Sequence, residues 1–515
     1  MKKIFIFLAG LLLLGSCDLD LQPENGLTYS NSFDTERELN TTTSAIQFYL
    51  LSSVADNLAF RSVGVLADEL QSGQEVRRWN PQYVNGVQDW SGLYKTIFES
   101  HLLLDNISRT KNLNEERYNT HAGQAHFALG LAYLCLVQRY GEVPILEDSK
   151  TIKVYDASSQ LAVLDHAIVH ASKALELLPT YDKLKDVNGA AITNRQYASK
   201  GSSAALLAHL YAWKGSVIEL YKFAGDAREA YRKSVEYATM LIDQQVGHYQ
   251  LAENPEELCT GAFNKASTSH PEVVFSLIYD VGRSIYAQTP NFVASEFLSY
   301  PVDETALLGD IESKTILRLY KSTIDEMYEE TDLRKQAFFY EVNTEHSSGT
   351  KTYALAYKFR NAIYDVDQTE TSGKRLRSLD TDYVYWRLAD IYLLRAECAA
   401  KLGEGMQAQN DLNVIRRRAQ ATEYPNAKKD SDGLQRAIFR EREKEFICEN
   451  DARFFDIIRN NYFRTDLEGK FKTLTHQDVL NGALVLPVPQ EARYKDGILI
   501  NPVIRQKIYW AQYIN

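Results

Sequence analysis

The chain has 515 residues, 68 of them Asp or Glu against 57 Lys or Arg, giving a formal charge of −11 and a pI near 5.5. That acidic balance lacks the basic surplus that displaces counterions from phosphates, so it excludes a dedicated DNA or RNA partner and makes anionic lipid surfaces poor targets. At roughly 150 residues per domain the length implies about three domains, unless the chain is a repeat array whose core grows along its axis.

The first seventeen residues read as an address. Lys2 and Lys3 form a charged n-region, and the apolar run Ile4 to Leu14 is 11 residues long, too short for a bilayer that needs about 20. Leu14, Gly15, Ser16 and Cys17 follow at once, a secretory signal whose cleavage site resembles a bacterial lipobox. Cleavage after residue 16 and acylation of Cys17 with three chains predicts firm anchoring, because each buried CH₂ contributes about 0.8 kcal/mol. Loss of Lys2 and Lys3 takes the formal charge from −11 to −13, and residues 17–30 form a short tether. Cys135, Cys259, Cys398 and Cys448 show no Cys-x-x-Cys spacing and read as small buried hydrophobes.

Past the tether, helical patterns recur without a strict period. A small-x-x-Tyr signature appears at Gly130/Tyr133, Ala208/Tyr211 and Ala389/Tyr392, and the glycines that follow, Gly141, Gly215 and Gly403, are expected to end those helices. Partner helices carry Ala167/Ala171, Ala230/Ser234 and Ala408/Leu412 at four-residue spacing. In YWRLADIYLLRAECAAKL the polar residues Arg387, Asp390, Glu397 and Lys401 occupy one narrow stripe, so that helix is packed on more than one side. These are tetratricopeptide-like hairpins. The predicted fold is mostly α: one domain over 17–515, with a helical scaffold at about 31–243 and 383–515. A loop-rich insertion at about 244–382, containing the strand-like run EVVFSLIYD, forms the ligand face; loops that long are usually functional.

The search for chemistry is mostly negative. Dinucleotide, P-loop, zinc-protease, serine-hydrolase and EF-hand motifs are all missing from the sequence. His166 and His170, four apart on one helical face, are the best metal candidates, but no third ligand accompanies them, and neither a metal nor a cofactor is predicted. A glycosidase needs two carboxylates at a set separation, and no pair among the 68 acidic residues is singled out.

Aromatic residues are more informative: 32 Tyr, 21 Phe and 5 Trp, most of them expected to fill helix interfaces, as Trp90 and Tyr94 are. Those in polar loops differ. The segment ADELQSGQEVRRWNPQYVNGVQDW sets Asp68, Glu69, Arg77, Arg78, Trp79, Asn80 and Tyr83 among turn-forming residues, a mixture able to stack on a ligand face and hydrogen-bond its edge. Here Trp79 is expected to stack while Asp68, Arg77 and Asn80 hydrogen-bond; the competing expectation is that Trp79 packs the loop onto the scaffold. Tyr286, Asn291, Phe292 and Tyr300 form a second candidate set in the insertion.

The lipobox followed by DLDLQP, the run GQAHFALGLAYLCLVQRYGEVPIL, the helix RLADIYLLRAECAAKLGE with its partner DLNVIRRRAQ, the run EREKEFICENDARFFDIIR and the late LPVPQEA stand in an order that resembles the SusD/RagB family over nearly the whole chain. The resemblance implies a surface-exposed outer-membrane lipoprotein that binds an oligosaccharide, or in some members a peptide, and passes it to a SusC-like TonB-dependent transporter. It implies a binding protein and no enzyme; a peptide-binding lipoprotein and a surface glycoside hydrolase are the alternatives, and a purely protein-binding adaptor is a third. Asp18 and Asp20 then resemble an acidic export tag. Arg395 is expected to meet a buried carboxylate, and Arg453, Asp456 and Arg459 to brace the last helix pair against the C-terminal segment.

Overall fold

The computed structural model describes residues 32–54, 60, 63–84, 89–263, 270–278, 292–450 and 452–514. Cys17, Asp18, Asp20 and the tether lie outside them. Among the described residues no helix is long and apolar enough to cross a membrane.

Apolar periodicity sets the first layer. In Glu36–Val54 (α1), Leu39, Thr43, Ile46, Leu50 and Val54 recur every three or four residues and are buried, so one face of the helix meets Ser91–Asn106 (α2). Glu115–Tyr140 (α3) opens at Asn114, whose side chain accepts the Arg117 N–H at 2.9 Å, and closes at Gly141 with φ 68°. Gln160–Leu177 (α4), Lys200–Tyr221 (α5), Ala227–Ile242 (α6), Leu388–Leu402 (α7), Gly405–Arg418 (α8), Leu434–Phe446 (α9) and Ala452–Arg459 (α10) follow.

From α1 to α8 each helix packs on the next, α6 on α7 included, although residues 243–387 separate those two in sequence. Small residues permit the approach: a Cβ on Gly130 would stand 3.0 Å from a Leu206 methyl and 3.3 Å from the Ala167 carbonyl. Gly403 ends α7 in the left-handed conformation, φ 85°. Gly215 does not end its helix. It sits inside α5, where a Cβ would come within 2.5 Å of the Tyr231 ring, and the helix runs on to Lys222 at φ 57°. Close packing against Tyr231, and not turn geometry, therefore requires a glycine there.

The excursion between α6 and α7 carries most of the strands. Glu69–Leu70 (β1) precedes it; within it lie Val273–Leu277 (β2), Leu317–Tyr320 (β3), Phe339–Tyr340 (β4), His346–Ser348 (β5), Lys351–Ala356 (β6), Ala362–Val366 (β7), Lys374–Leu379 (β8) and Tyr383–Arg387 (β9). β2 and β9 pair antiparallel from Val273↔Arg387 to Leu277↔Tyr383, closing a neck that runs straight into α7. A second antiparallel sheet has the order β1-β3-β6-β4, with β5 also on β6. Period-two alternation sends Leu70, Leu317, Leu319, Phe339 and Ala354 into a core of the excursion's own.

Buried ion pairs weld this unit to the helices, and most of their carboxylates come from EREKEFICEN. Glu441 meets Arg334 at 2.6 Å and Arg416 at 2.8 Å; Glu445 meets Arg387 at 2.7 Å, Arg334 at 3.1 Å and Arg418; Glu449 meets Arg387 at 2.7 Å and Lys358 at 2.5 Å. Arg387 also reaches Glu272 at 2.7 Å. Arg395 meets the buried Asp411 through two bonds of 2.8 and 2.7 Å, as expected of it. Asp456 and Arg459 tie α10 to α7 and α9 through Arg442 and Glu397, while Arg453 lies on the Phe439 ring at 3.6 Å. The brace thus joins three helices; the C-terminal segment is held separately, by Trp510 Nε1 donating to the Val485 carbonyl at 2.8 Å. All four described cysteines are buried.

Acid sensitivity follows from this. Burial alone would raise Glu397 and Glu441, but Arg459 holds the first at about 2, and Arg334 with Arg416 the second at about 2. Carboxylates lowered in the folded state stabilise it above their ordinary value of 4.5, and that stability disappears as pH falls toward 2. The melting temperature should be nearly flat from pH 7 to about 5 and fall steeply below about 4.5; a flat profile down to pH 3 would contradict the network.

Candidate functional site

Strand alternation builds the site. The faces of β1, β3, β6 and β4 opposite the core carry Glu69, Arg318, Tyr320, Lys351, Tyr353, Leu355 and Tyr340, in the register Glu69↔Arg318, Tyr320↔Tyr353 and Tyr340↔Leu355. Ile311 and Leu308 pack on part of this face. They meet Tyr353 and Leu355, which are buried, and Tyr320 and Tyr340, which are partly buried.

Glu69 is its electrostatic centre. Its carboxylate accepts from Tyr320 Oη at 2.7 Å, Tyr353 Oη at 2.9 Å, Arg318 Nε at 3.1 Å and the Lys351 ammonium. Burial would raise its pKa, but these donors, Lys351 foremost, hold it at about 2. Tyr353 Oη is also 3.0 Å from Glu312, and with one proton it donates to one carboxylate at a time.

The aromatic edge runs outward from there. His346 lies opposite Tyr353 across β5 and β6; Tyr340 stands 5.8 Å from the His346 ring and 5.4 Å from Tyr357. Tyr300 meets Tyr340 edge to face at 6.1 Å and is 36% exposed. Arg360 covers Tyr357 at 4.3 Å and is itself fixed on Glu256 by bonds of 2.6 and 2.8 Å. Rings offering edges and faces beside a permanently ionised carboxylate suit the recognition of an amphipathic polar ligand. They do not suit proton donation, since a carboxyl at about 2 is no general acid at neutral pH.

The loop of residues 68–84 behaves differently from its sequence reading. Trp79 is fully buried: its Nε1 donates to the Ala483 carbonyl at 2.8 Å and its ring lies among Phe60, Phe454, Phe471 and Trp510 at 5.1 to 6.0 Å. The packing alternative holds, and no face is left for a ligand. After the one-turn helix Gln74–Arg77, Trp79 takes φ 57°, a backbone turn that accompanies its seating on the scaffold. Gly469 makes room for this turn, since a Cβ there would fall 2.2 Å from the Arg78 carbonyl.

Its neighbours are committed to protein partners. Arg77 donates to Glu468 and to the Ala67 carbonyl, both at 3.1 Å; Asn80 donates to Glu75 at 2.7 Å and accepts the Gln82 N–H at 3.2 Å. Asp68 accepts the Tyr320 N–H at 2.6 Å and the Thr323 hydroxyl at 2.8 Å, which joins the loop to the start of the helix after β3. Tyr83, 55% exposed, remains available, as does Tyr300. Tyr286, Asn291 and the side chain of Phe292 lie outside the described residues. Sequence reasoning missed Tyr320, Tyr340, Lys351 and Tyr353; the alternation Lys351–Tyr353–Leu355–Tyr357 is the signal that marks β6 and its face.

Comparison with known proteins agrees with this architecture. Residues 19–211 match the family model "Starch-binding associating with outer membrane", and residues 282–503 match the model "SusD family". SusD-like protein P2 of Formosa agariphila is 22% identical over 97% of this chain and 99% of its own length; SusD-like protein P25 of the same organism is 22% identical over 81% and 77%. Among solved structures, a SusD homolog from Bacteroides thetaiotaomicron superposes with a TM-score of 0.71 at 19% identity, covering 92% of this chain and 98% of that one. NanU of Bacteroides fragilis gives 0.69 at 19% identity, covering 94% and 99%.

Proposed function

Because the chain belongs to the SusD/RagB family, we propose that it is a surface lipoprotein that captures an oligosaccharide and delivers it to a TonB-dependent outer-membrane transporter. Its place is the outer membrane, with which the family associates. The observation that carries the binding role is the aromatic edge of this sheet: the exposed Tyr300 meets Tyr340, which stands on the same sheet face as Glu69 and Lys351, whose geometry is already fixed by protein hydrogen bonds. Such a surface stacks on the apolar faces of sugar rings with little reorganisation. The depressed Glu69 carboxyl makes it a fixed hydrogen-bond acceptor and a poor proton donor.

A glycan and peptide binding screen on the soluble chain beginning after Cys17 tests this reading, with product analysis on every glycan retained. Oligosaccharide retained intact supports it; peptides alone retained would make it the peptide-binding variant, and cleaved glycan would make it a hydrolase. Tyr300→Ala should weaken binding of the retained glycan by about 1–3 kcal/mol, as truncated aromatic anchors do, with little change in melting temperature.

Anchoring has its own test. Cys17→Ala should move the protein from the membrane fraction to the soluble one, because a single cysteine carries all the acyl chains. Persistent fractionation with outer membranes in cells lacking the transporter would reject the lipid anchor.

A further inference from the structure

Two neighbouring loops expose aliphatic side chains that the core does not claim. Tyr494–Lys495 (β10) and Ile498–Leu499 (β11) pair antiparallel about a tight turn at Asp496 and Gly497, whose φ angles are 51° and 77°. This hairpin leaves Ile498 69%, Leu499 48% and Ile500 48% exposed. In the loop between α3 and α4, Ile152 is fully exposed and Val154 is 54% exposed. Asn501 Nδ2 donates to the Tyr155 carbonyl at 3.1 Å, a bond that joins the two loops. Aliphatic surface concentrated in this way marks a contact with a protein or a membrane.

Three observations favour the membrane. The exposed tips are Ile, Leu and Val, whereas protein interfaces are anchored mainly by aromatic residues, Met and Arg. Cations flank them: Arg493, Lys495 and Arg505 against the single carboxylate Asp496 in the hairpin segment, and Lys150 and Lys153 on either side of Ile152. Aliphatic tips rimmed by Lys and Arg suit an acyl border lying beneath phosphates. The third observation is the exit of the tether. Ser149 gives its backbone N–H and its hydroxyl to Asp105 at 2.9 and 2.7 Å near the end of α2, and just beyond that end the Phe33 carbonyl accepts the Thr110 hydroxyl at 2.9 Å. The described chain therefore begins at the same end of α2 as the loop carrying Ile152. Residues 17–31 span at most about 50 Å, so a lipid on Cys17 keeps this end within reach of the bilayer.

We propose that the Ile152 loop and the hairpin carrying Ile498, Leu499 and Ile500 form a second, non-covalent membrane contact, with the aliphatic tips in the acyl border and the flanking cations on lipid phosphates. The acidic charge of the whole chain opposes general adsorption to anionic lipid, so the contact is local and weak by itself. A lipidated tether strengthens it by raising its effective concentration at the surface. The orientation rests on acylation of Cys17; the contact itself depends neither on that nor on glycan capture.

Sedimentation of the untagged chain beginning after Cys17 with vesicles of phosphatidylethanolamine and phosphatidylglycerol should carry protein into the pellet. The triple variant Ile152→Ser/Ile498→Ser/Leu499→Ser should partition at least tenfold more weakly with an unchanged melting curve. Tyr300→Ala should partition like the unsubstituted chain, which separates failure of glycan capture from failure of this contact. In Ile498→Trp, vesicles should move the added tryptophan emission to shorter wavelength relative to the unsubstituted chain, a readout at the tip itself. No pelleting of the unsubstituted chain, undiminished partition of the folded triple variant, or an unmoved emission would each overturn the proposal. So would a triple variant that loses copurification with the transporter while the unsubstituted chain ignores vesicles, since the patch would then be a protein interface.

Discussion

Glu445→Ala should cost the chain about 3–5 kcal/mol of folding stability, enough to leave most of it insoluble or unfolded at 37 °C. Glu445 is completely buried and its carboxylate faces Arg387, Arg334 and Arg418 at once. Removing it leaves three guanidiniums sharing too few counter-charges in a medium that solvates them poorly, and the penalty is that of uncompensated buried charge. Glu423→Ala is the control: its partner Arg417 is 61% exposed, so the change should leave the unfolding midpoint nearly unmoved. Urea unfolding of the two variants beside the unsubstituted protein separates them, and equal midpoints would show that the buried network contributes no more than a surface pair.

Trp79→Ala should lower stability by about 3–5 kcal/mol and leave the affinity of the folded fraction for ligand nearly unchanged. The indole fills a slot walled by Phe60, Phe454, Phe471 and Trp510, and its N–H satisfies the Ala483 carbonyl, so truncation opens a cavity and leaves that acceptor without its donor. Trp79→Phe, which keeps most of the volume and loses the hydrogen bond, should cost about 1–3 kcal/mol. A melting curve and a titration on the same preparation decide the matter: weakened affinity at unchanged melting temperature would return Trp79 to the ligand face.

The helical scaffold was legible because its signals are local. The pairs Gly130/Tyr133 and Ala167/Ala171, and the capping Gly141 and Gly403, each act within one or two turns, and periodicity reports such contacts directly. Gly215 misled because a glycine that ends a helix and one that admits a neighbour look alike in sequence; only the position of Tyr231, sixteen residues on, separates them. The same limit governs the site. Whether Trp79 faces solvent depends on Phe454, Phe471, Ala483 and Trp510, nearly 400 residues away in the chain, and no composition rule for loops encodes that distance. Glu69 acquires its role only when β1 pairs with β3 and β3 with β6, bringing Tyr320, Lys351 and Tyr353 to it from within the insertion. Arg395 was readable because a lone cation on an apolar helix face demands a partner wherever that partner comes from.

The neck made by β2 and β9 bears on how chains of this architecture can diverge. Since α6 already packs on α7 and the two neck strands zip together, the ends of the excursion are brought side by side by the scaffold itself. A different segment could be spliced between residues 278 and 382 without disturbing the helices' own packing. The exchange is not free, however, because Arg334 and Lys358 travel with the excursion while Glu441, Glu445 and Glu449 stay behind on α9 and its end. Any replacement segment must deliver two cations to those same buried carboxylates, so variation in the excursion is constrained by charge conservation at its base long before it is constrained by shape at its tip.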